Sequence, residues 1–296
     1  MSVLRDPLTL AVPFFIAFVV LEAVSFAVFA DDDLRGYERR DTITSVVSGM
    51  VALLFNTVAR GVALLGYAVL YELTPLRLDP SSPWTWVGVL LGVDLLWYCY
   101  HRTAHRVRLV WAAHQAHHNS EYFNFSTAAR QKWNPWFEML FWVPLPLLGV
   151  PPWMVFTAFS ITLVYQFLVH TERIGRLPAP VEFVFNTPSH HRVHHASDPE
   201  YLDRNYGGML IVWDRLFGTY AEERQRPRYG LTTPPPTRHV AGLQYHEFAA
   251  IWRDVRAATT WRERLAHVFA PPGRTAPPVT TPAPGTGVAG SPRTMS

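Results

Sequence analysis

Ten of the thirteen histidines fall in four short segments. "HRTAH" supplies His101 and His105, and "HQAHH" supplies His114, His117 and His118. "VHTE" supplies His170, and "NTPSHHRVHHAS" supplies His190, His191, His194 and His195. On an α-helix, residues three and four apart share a face. His101 and His105 are then about 40° apart, and each HxxHH triad lies within an arc of about 100°. Neutral imidazole is a ligand for Fe, Zn or Cu. One ion takes about four to six ligands, so eight or nine converging imidazoles imply two metals. His190, at the edge of its arc, is a candidate extra ligand or a partner of a ligand; Arg192 and Val193 fall off the ligand face. His239, His246 and His267 lack such spacing. A pH switch needs only a few histidines rather than repeated helical triads, and an adventitious zinc-binding surface is the other plain alternative.

Three further polar residues stand beside this constellation. Asp94 lies two turns before His101 inside an apolar run, where an ionisable group is costly and points to function. At about 10 Å along the helix it is too far to share that metal, so orienting an imidazole is the expected role, against a helix-packing hydrogen bond. Glu172 and Asn124 are candidates of the same kind. Ser189 is the expected N-cap of the last histidine helix, with Pro188 at its start.

The elements that position these residues read as membrane helices. Residues 8–30 are almost wholly apolar and reach roughly 35 Å as a helix, enough to cross a bilayer. "VFA" before Asp31 resembles a signal cleavage site, but the run is long and its n-region holds only Arg5, so an uncleaved anchor is expected. Residues 43–71, interrupted by Asn56 and Arg60, and residues 84–100 are further apolar runs. Residues 136–170, broken near Gly149, Pro151 and Pro152, read as a helical hairpin. Arginines concentrate at 31–42 and after residue 101, while 72–83 holds only Arg77. The positive-inside rule then puts residue 101 onward in the cytoplasm and the N-terminus outside.

The expected fold is all-α. It is a polytopic integral membrane helical bundle with a cytoplasmic histidine-rich helical cap holding a dinuclear metal site. The parts are transmembrane helices over 1–83, a catalytic region over 84–220, a helical segment over 221–269 and a disordered tail over 270–296.

Composition narrows the function. Hydrophobic residues make up 49% and charged residues 17% of the 296, which suggests membrane contact. A net charge of +3 and the lack of a basic helix or RNA-binding signature argue against a nucleic-acid partner. Cys99 is the only cysteine, which rules out thiolate metal sites and an intramolecular disulfide. Lys132 is the only lysine among 26 cationic residues. Arginine dominance beside abundant Ala and Pro fits a GC-rich bacterial genome and hence a bacterial inner membrane.

The blocks "DLLWYCYHRTAH", "LVWAAHQAHHNSEYFNFSTAARQ", "YQFLVHTE", "NTPSHHRVHH" and "DRNYGGMLIVWDRLFGTY" resemble the fatty acid hydroxylase superfamily, which includes sterol desaturases and lipid hydroxylases. Three of them, "NFSTAARQ", "YQFLVHTE" and "NTPSHHRVHH", look most like its alkylglycerol monooxygenase branch, although Arg106 stands where that branch carries an acidic residue. The resemblance implies an integral membrane di-iron enzyme that uses O2 to hydroxylate or desaturate a C–H bond of an acyl, sterol or glyceryl ether lipid. It carries ligand roles to His101, His105, His114, His117, His118, His170, His191, His194 and His195. Electrons would come from outside the chain, from a reductase, ferredoxin or cytochrome, or from a pterin; no GxGxxG is seen, and a fused haem or flavin domain is not expected. Two other readings stay open. A zinc-dependent membrane hydrolase needs a general base such as HExxH supplies, and that motif is missing; zinc could also replace iron on overexpression. A metal-binding membrane protein without chemistry would leave cellular lipids unchanged when its histidines are lost.

Overall fold

A computed structural model describes residues 6–29, 31 and 34–273. The expected tail lies outside these residues from position 274 on, as do Arg5 and Ala30 of the cleavage-site reading. The described residues form thirteen helices and no strand: α1 Pro7–Val28, α2 Arg39–Glu72, α3 Pro83–Arg106, α4 Arg108–His118, α5 Phe125–Ala128, α6 Trp136–Phe141, α7 Pro144–Leu147, α8 Pro152–Leu168, α9 Ala179–Val184, α10 Pro188–His194, α11 Val212–Leu216, α12 Val240–Ala257 and α13 Trp261–Phe269.

Two of these, α1 and α2, are long and apolar enough to cross a membrane. α1 starts where Asp6 accepts from the Thr9 amide and Pro7 fixes the first turn. Its apolar side chains face all directions. Leu21 is 63% exposed, as are Met50 and Leu65 of α2 at 70% and 72%. Helices this apolar on an outward face fit a hydrocarbon solvent. The 136–170 region is broken as its prolines dictate, into α6, α7 and the 17-residue α8.

α3 and α8 carry the apolar core. Trp97 and Tyr100 of α3 pack with Met154 and Phe159 of α8 and with Trp142. α1 lies against α8 through the stacked rings of Phe15 and Phe167, 4.1 Å apart. One ionisable residue within α1, Glu22, is buried and ties four segments together. It accepts from the Tyr37 hydroxyl (2.6 Å), the Phe125 amide (2.8 Å) and the hydroxyl of Thr171, next to His170.

The helices bearing histidines are short and sharply joined. α3 runs past its apolar stretch, so that His101 and His105 fall in its last two turns. Val107 is extended (φ −120°, ψ 114°), and the chain restarts as α4, folding His114, His117 and His118 back toward α3. α10 is seven residues long and every residue in it is buried. Its N-cap is Thr187, not Ser189: Pro188 occupies the first helical position, where a proline costs no hydrogen bond. Ser189 sits in the first turn, and its hydroxyl donates to Glu182 (2.7 Å).

Candidate metal centre

The four histidine segments converge on one buried place. His101, His105, His114, His118 and His194 form one group, and His117, His170, His191 and His195 form a second. Within each group the candidate ligand nitrogens all lie within 4.8 Å of one another. The groups adjoin: the rings of His118 and His195 stack at 4.4 Å, and those of His194 and His195 are 5.3 Å apart.

The ring orientations show what the groups suit. His101 Nδ1–H donates to the carbonyl of Tyr206 (2.9 Å), His117 to Arg130 (3.1 Å), His170 to Gln166 (2.7 Å) and His194 to Arg204 (3.0 Å). Each bond assigns the proton to Nδ1 and leaves the Nε2 lone pair for the centre. These four rings thus turn an unprotonated Nε2 toward those of their neighbours. The Nε2 atoms are 3.0 Å apart for His101–His114, 3.2 Å for His114–His118, 3.3 Å for His117–His170 and 3.0 Å for His170–His191. Ligands about 2.0–2.1 Å from one ion stand roughly 3 Å from each other. Nε2 of His105, His194 and His195 is buried without any protein partner. Orphaned acceptors of this kind are costly unless something binds them. Both donor sets therefore fit a metal ion, and neither contains a carboxylate or thiolate.

Burial also fixes protonation. Desolvation, reinforced by neighbouring imidazoles, holds His114, His117, His118, His191 and His195 well below the ordinary imidazole range. His194 is lowered to about 4, again mainly by burial. Histidines whose folded pKa is depressed stabilise the fold fully above their unfolded value of about 6.5, and that contribution is lost as pH falls below it. The metal-free chain in detergent should therefore lose stability progressively from about pH 6.5 toward about pH 4 in denaturant titrations. Stability that stays flat or rises over that interval would contradict neutral, buried imidazoles.

The remaining candidates sit around the groups rather than in them. Asp94 touches no imidazole. Its carboxylate accepts from the amides of Met209 (2.6 Å) and Leu210 (3.1 Å) and from the Trp213 indole (2.8 Å). It thus braces the 206–210 loop, whose Tyr206 carbonyl holds His101. His190 turns away from both groups: its Nδ1 accepts from the Thr187 amide, and its Nε2 lies 3.0 Å from Glu182. Glu172 accepts from Arg226 and Tyr229 (both 3.1 Å), behind Phe123, whose ring stacks on Tyr229 and on His170. Asn124 caps α5 and donates to the Gly36 carbonyl (2.7 Å). Arg192 is bidentate to Glu223 (2.7 Å each), off the histidine face.

Residues that spacing did not single out complete the support. Asp214 is fully buried and accepts from the amides of Tyr206 (2.8 Å) and Gly207 (2.7 Å) and from the Thr219 hydroxyl (2.6 Å). Gly207 and Gly208 permit this approach: a Cβ on Gly207 would fall 2.4 Å from the Leu210 carbonyl, and one on Gly208 2.8 Å from Asp94. Asp203 and Asn205 are in the left-handed region (φ 60° and 55°) within the turn that delivers the Arg204 and Tyr206 carbonyls. Asn205 is locked there, donating to the carbonyls of His190 and Ala221 and accepting from the Ala221 amide. The signal for all of these was the block "DRNYGGMLIVWD", which has turn residues and an acid but no periodicity to assign them roles.

The same stretch of chain matches a known family. The fatty acid hydroxylase family model covers residues 86–219. Alkylglycerol monooxygenase of Homo sapiens is 38% identical over 268 residues, covering 89% of this chain and 59% of that protein. The Danio rerio protein of the same name is 39% identical over 267 residues, covering 90% and 59%. An ornithine lipid hydroxylase of Rhizobium tropici is 30% identical over 125 residues, covering 42% and 38%. The chain thus spans about three-fifths of the length of the first two relatives. No solved structure matches. All nine clustered histidines lie within the residues that match the fatty acid hydroxylase family model, and the chain is homologous to the alkylglycerol monooxygenases over most of its length.

Proposed function

We propose that this protein is a multi-pass membrane enzyme that uses two iron ions and O2 to hydroxylate a C–H bond of a lipid. The observation that carries the reading is the pair of adjoining, buried, all-imidazole groups. Zinc suits such ligands too, but a zinc hydrolase needs a carboxylate base beside the metal, and Asp94 and Asp214 are instead committed to backbone amides. The names of the relatives, monooxygenase and hydroxylase, favour oxidation.

The chain's own residues bind, orient and exclude. The nine histidines are placed to hold the ions as neutral ligands, and the carbonyls of Tyr206, Arg130, Gln166 and Arg204 fix four of the rings. Bound iron would supply the redox chemistry with O2 that the side chains lack. Tyr100, Trp97 and Phe123, packed on the histidine rings, keep water from the centre. An apolar groove of about 600 Å³ lies between α2 and α6, lined by Val62, Tyr67, Leu70, Phe137 and Leu140 among others. It is of a size usual for ligand sites and offers a place for an alkyl chain arriving from the bilayer. α3 supplies none of this lining and packs largely into the core. The histidine groups would face the cytoplasm, near the arginine-rich segments. A monooxygenation consumes one O2, two electrons and two protons for each alcohol and water formed; the electrons would come from a separate protein donor or a pterin.

The test is isotopic. Full-length protein, prepared in membranes with iron, is given 1-O-alkylglycerol, other ether and acyl lipids, an electron donor and labelled O2. A product carrying one labelled oxygen is expected. An alkene without label would indicate desaturation, and turnover under anaerobic conditions would exclude the oxygenase.

A further inference from the structure

Lys132, the single lysine, is buried beside the centre, and none of the roles above uses it. Its ammonium pairs with Glu138 of α6 at 2.5 Å; the two side chains are 7% and 2% exposed. The pair has a direction. The ammonium stands 5.7 Å from the Trp97 ring and 5.3 Å from the Tyr100 ring. Those rings back directly onto histidines, Trp97 onto His101 at 5.5 Å and Tyr100 onto His114 at 6.4 Å. At most about 12 Å therefore separates the ammonium from the His114 ring. Glu138 lies on the α2 side, next to Met139, whose carbonyl accepts from the Tyr67 hydroxyl. Burial disfavours the Lys132 ammonium, but the Glu138 carboxylate and the Tyr100 hydroxyl together outweigh it and hold its pKa above the ordinary value.

Stability does not account for such a pair. Replacing a buried ion pair by well-packed apolar residues is commonly neutral or stabilising. Ionisable residues in the interior of a membrane protein are rare, usually paired with one another, and mark function by default. The centre beside it has only neutral ligands, so nothing in the donor set offsets or tunes the charge of the ions. We propose that Lys132 and Glu138 form an oriented charge pair, ammonium toward the histidines, that raises the metal centre's affinity for small anions and its reduction potential. Lys132 is a positioning charge here and not a ligand. The inference rests on the metal reading above.

Azide is the probe, titrated spectroscopically into iron-loaded, oxidised full-length protein in detergent. A unit charge about 12 Å away at an effective dielectric of about 20 changes an anion's affinity on the order of tenfold, and while the pair is intact the opposite charge on Glu138 offsets much of that, so the full effect belongs to loss of the ammonium alone. Lys132→Met is expected to weaken azide binding about tenfold and lower the potential. Lys132→Arg, which keeps the charge, should stay near wild type. Because Lys132→Met leaves Glu138 unpaired, the double variant Lys132→Met/Glu138→Met provides a well-packed control: it should fold, bind iron and still bind azide more weakly than wild type. Metal bound in every variant with azide affinity within twofold of wild type would overturn the charge pair alone, as would an equal loss in Lys132→Arg and Lys132→Met. A wild-type chain that binds no metal would overturn this inference together with the metal reading.

Discussion

Alanine at His114 or His191 is expected to abolish lipid hydroxylation, lowering turnover roughly a thousandfold or more, because a bound metal contributes several kcal/mol of transition-state stabilisation. These two come from different groups, so each change should also remove metal, leaving the iron content at about half or less of wild type. The structural reason is the spacing: His114 Nε2 lies 3.0 and 3.2 Å from the Nε2 atoms of His101 and His118, and His191 Nε2 lies 3.0 Å from that of His170. A neighbour that shares an ion cannot be replaced by water without loosening the others. The histidines outside the groups make the control. His246, which contacts the Gln115 side chain at 3.1 Å, should tolerate alanine with less than about a threefold change. Iron content and turnover, measured together on membranes, check both halves. Full occupancy in His114→Ala or His191→Ala would remove that residue from the ligand set.

The second large effect is expected at a residue that touches no histidine. Asp214→Ala strands two buried amides and leaves the Thr219 hydroxyl with Tyr98 alone. At about 1–3 kcal/mol for each buried donor left unpaired, the loss is on the order of 4 kcal/mol, a large share of the stability of an ordinary domain. The site should suffer as well. The Tyr206 carbonyl that holds His101 Nδ1 hangs on the strand of loop that Asp214 fixes, so metal affinity should fall about 10- to 100-fold in whatever folded protein remains. Thermal denaturation together with metal competition by a chelator separates the two losses. Unchanged melting and unchanged metal affinity would show that the loop holds its shape without the carboxylate.

Much of the site was legible because histidine at helical spacing is a local signal. The angles that put His114, His117 and His118 in one arc need only the 3.6-residue turn, and α4 realises them. His170 had no partner spacing of its own, and its place came from the family blocks. What spacing could not reveal is partition: His117 parts from His114 and His118 to join His170, and His194 joins the α3 histidines rather than His191 and His195. That division depends on how α3, α4 and α10 cross, which is a tertiary matter. Asp94 stood out as a carboxylate in an apolar run, and its hydrogen bonds go to a loop more than a hundred residues downstream rather than to an imidazole. Glu22 carried the same signal inside α1, and its partners Tyr37, Phe125 and Thr171 show that it fastens the first helix to the segment bearing His170. Asn124 and His190 are polar residues near ligands in sequence whose hydrogen bonds are consumed by capping and by Glu182. Only packing distinguishes such residues from true neighbours of the centre. The first two apolar runs became the helices α1 and α2, whereas 84–100 became the inner part of a longer helix that ends among the clustered histidines.

The central claim, two iron ions in one all-histidine centre, is tested most directly by metal analysis of full-length protein purified anaerobically from iron-supplied cells, combined with Mössbauer spectroscopy. The account predicts about two iron atoms per chain and, after oxidation, the signature of a coupled pair. One metal per chain, or a fully active protein holding only zinc, would contradict it.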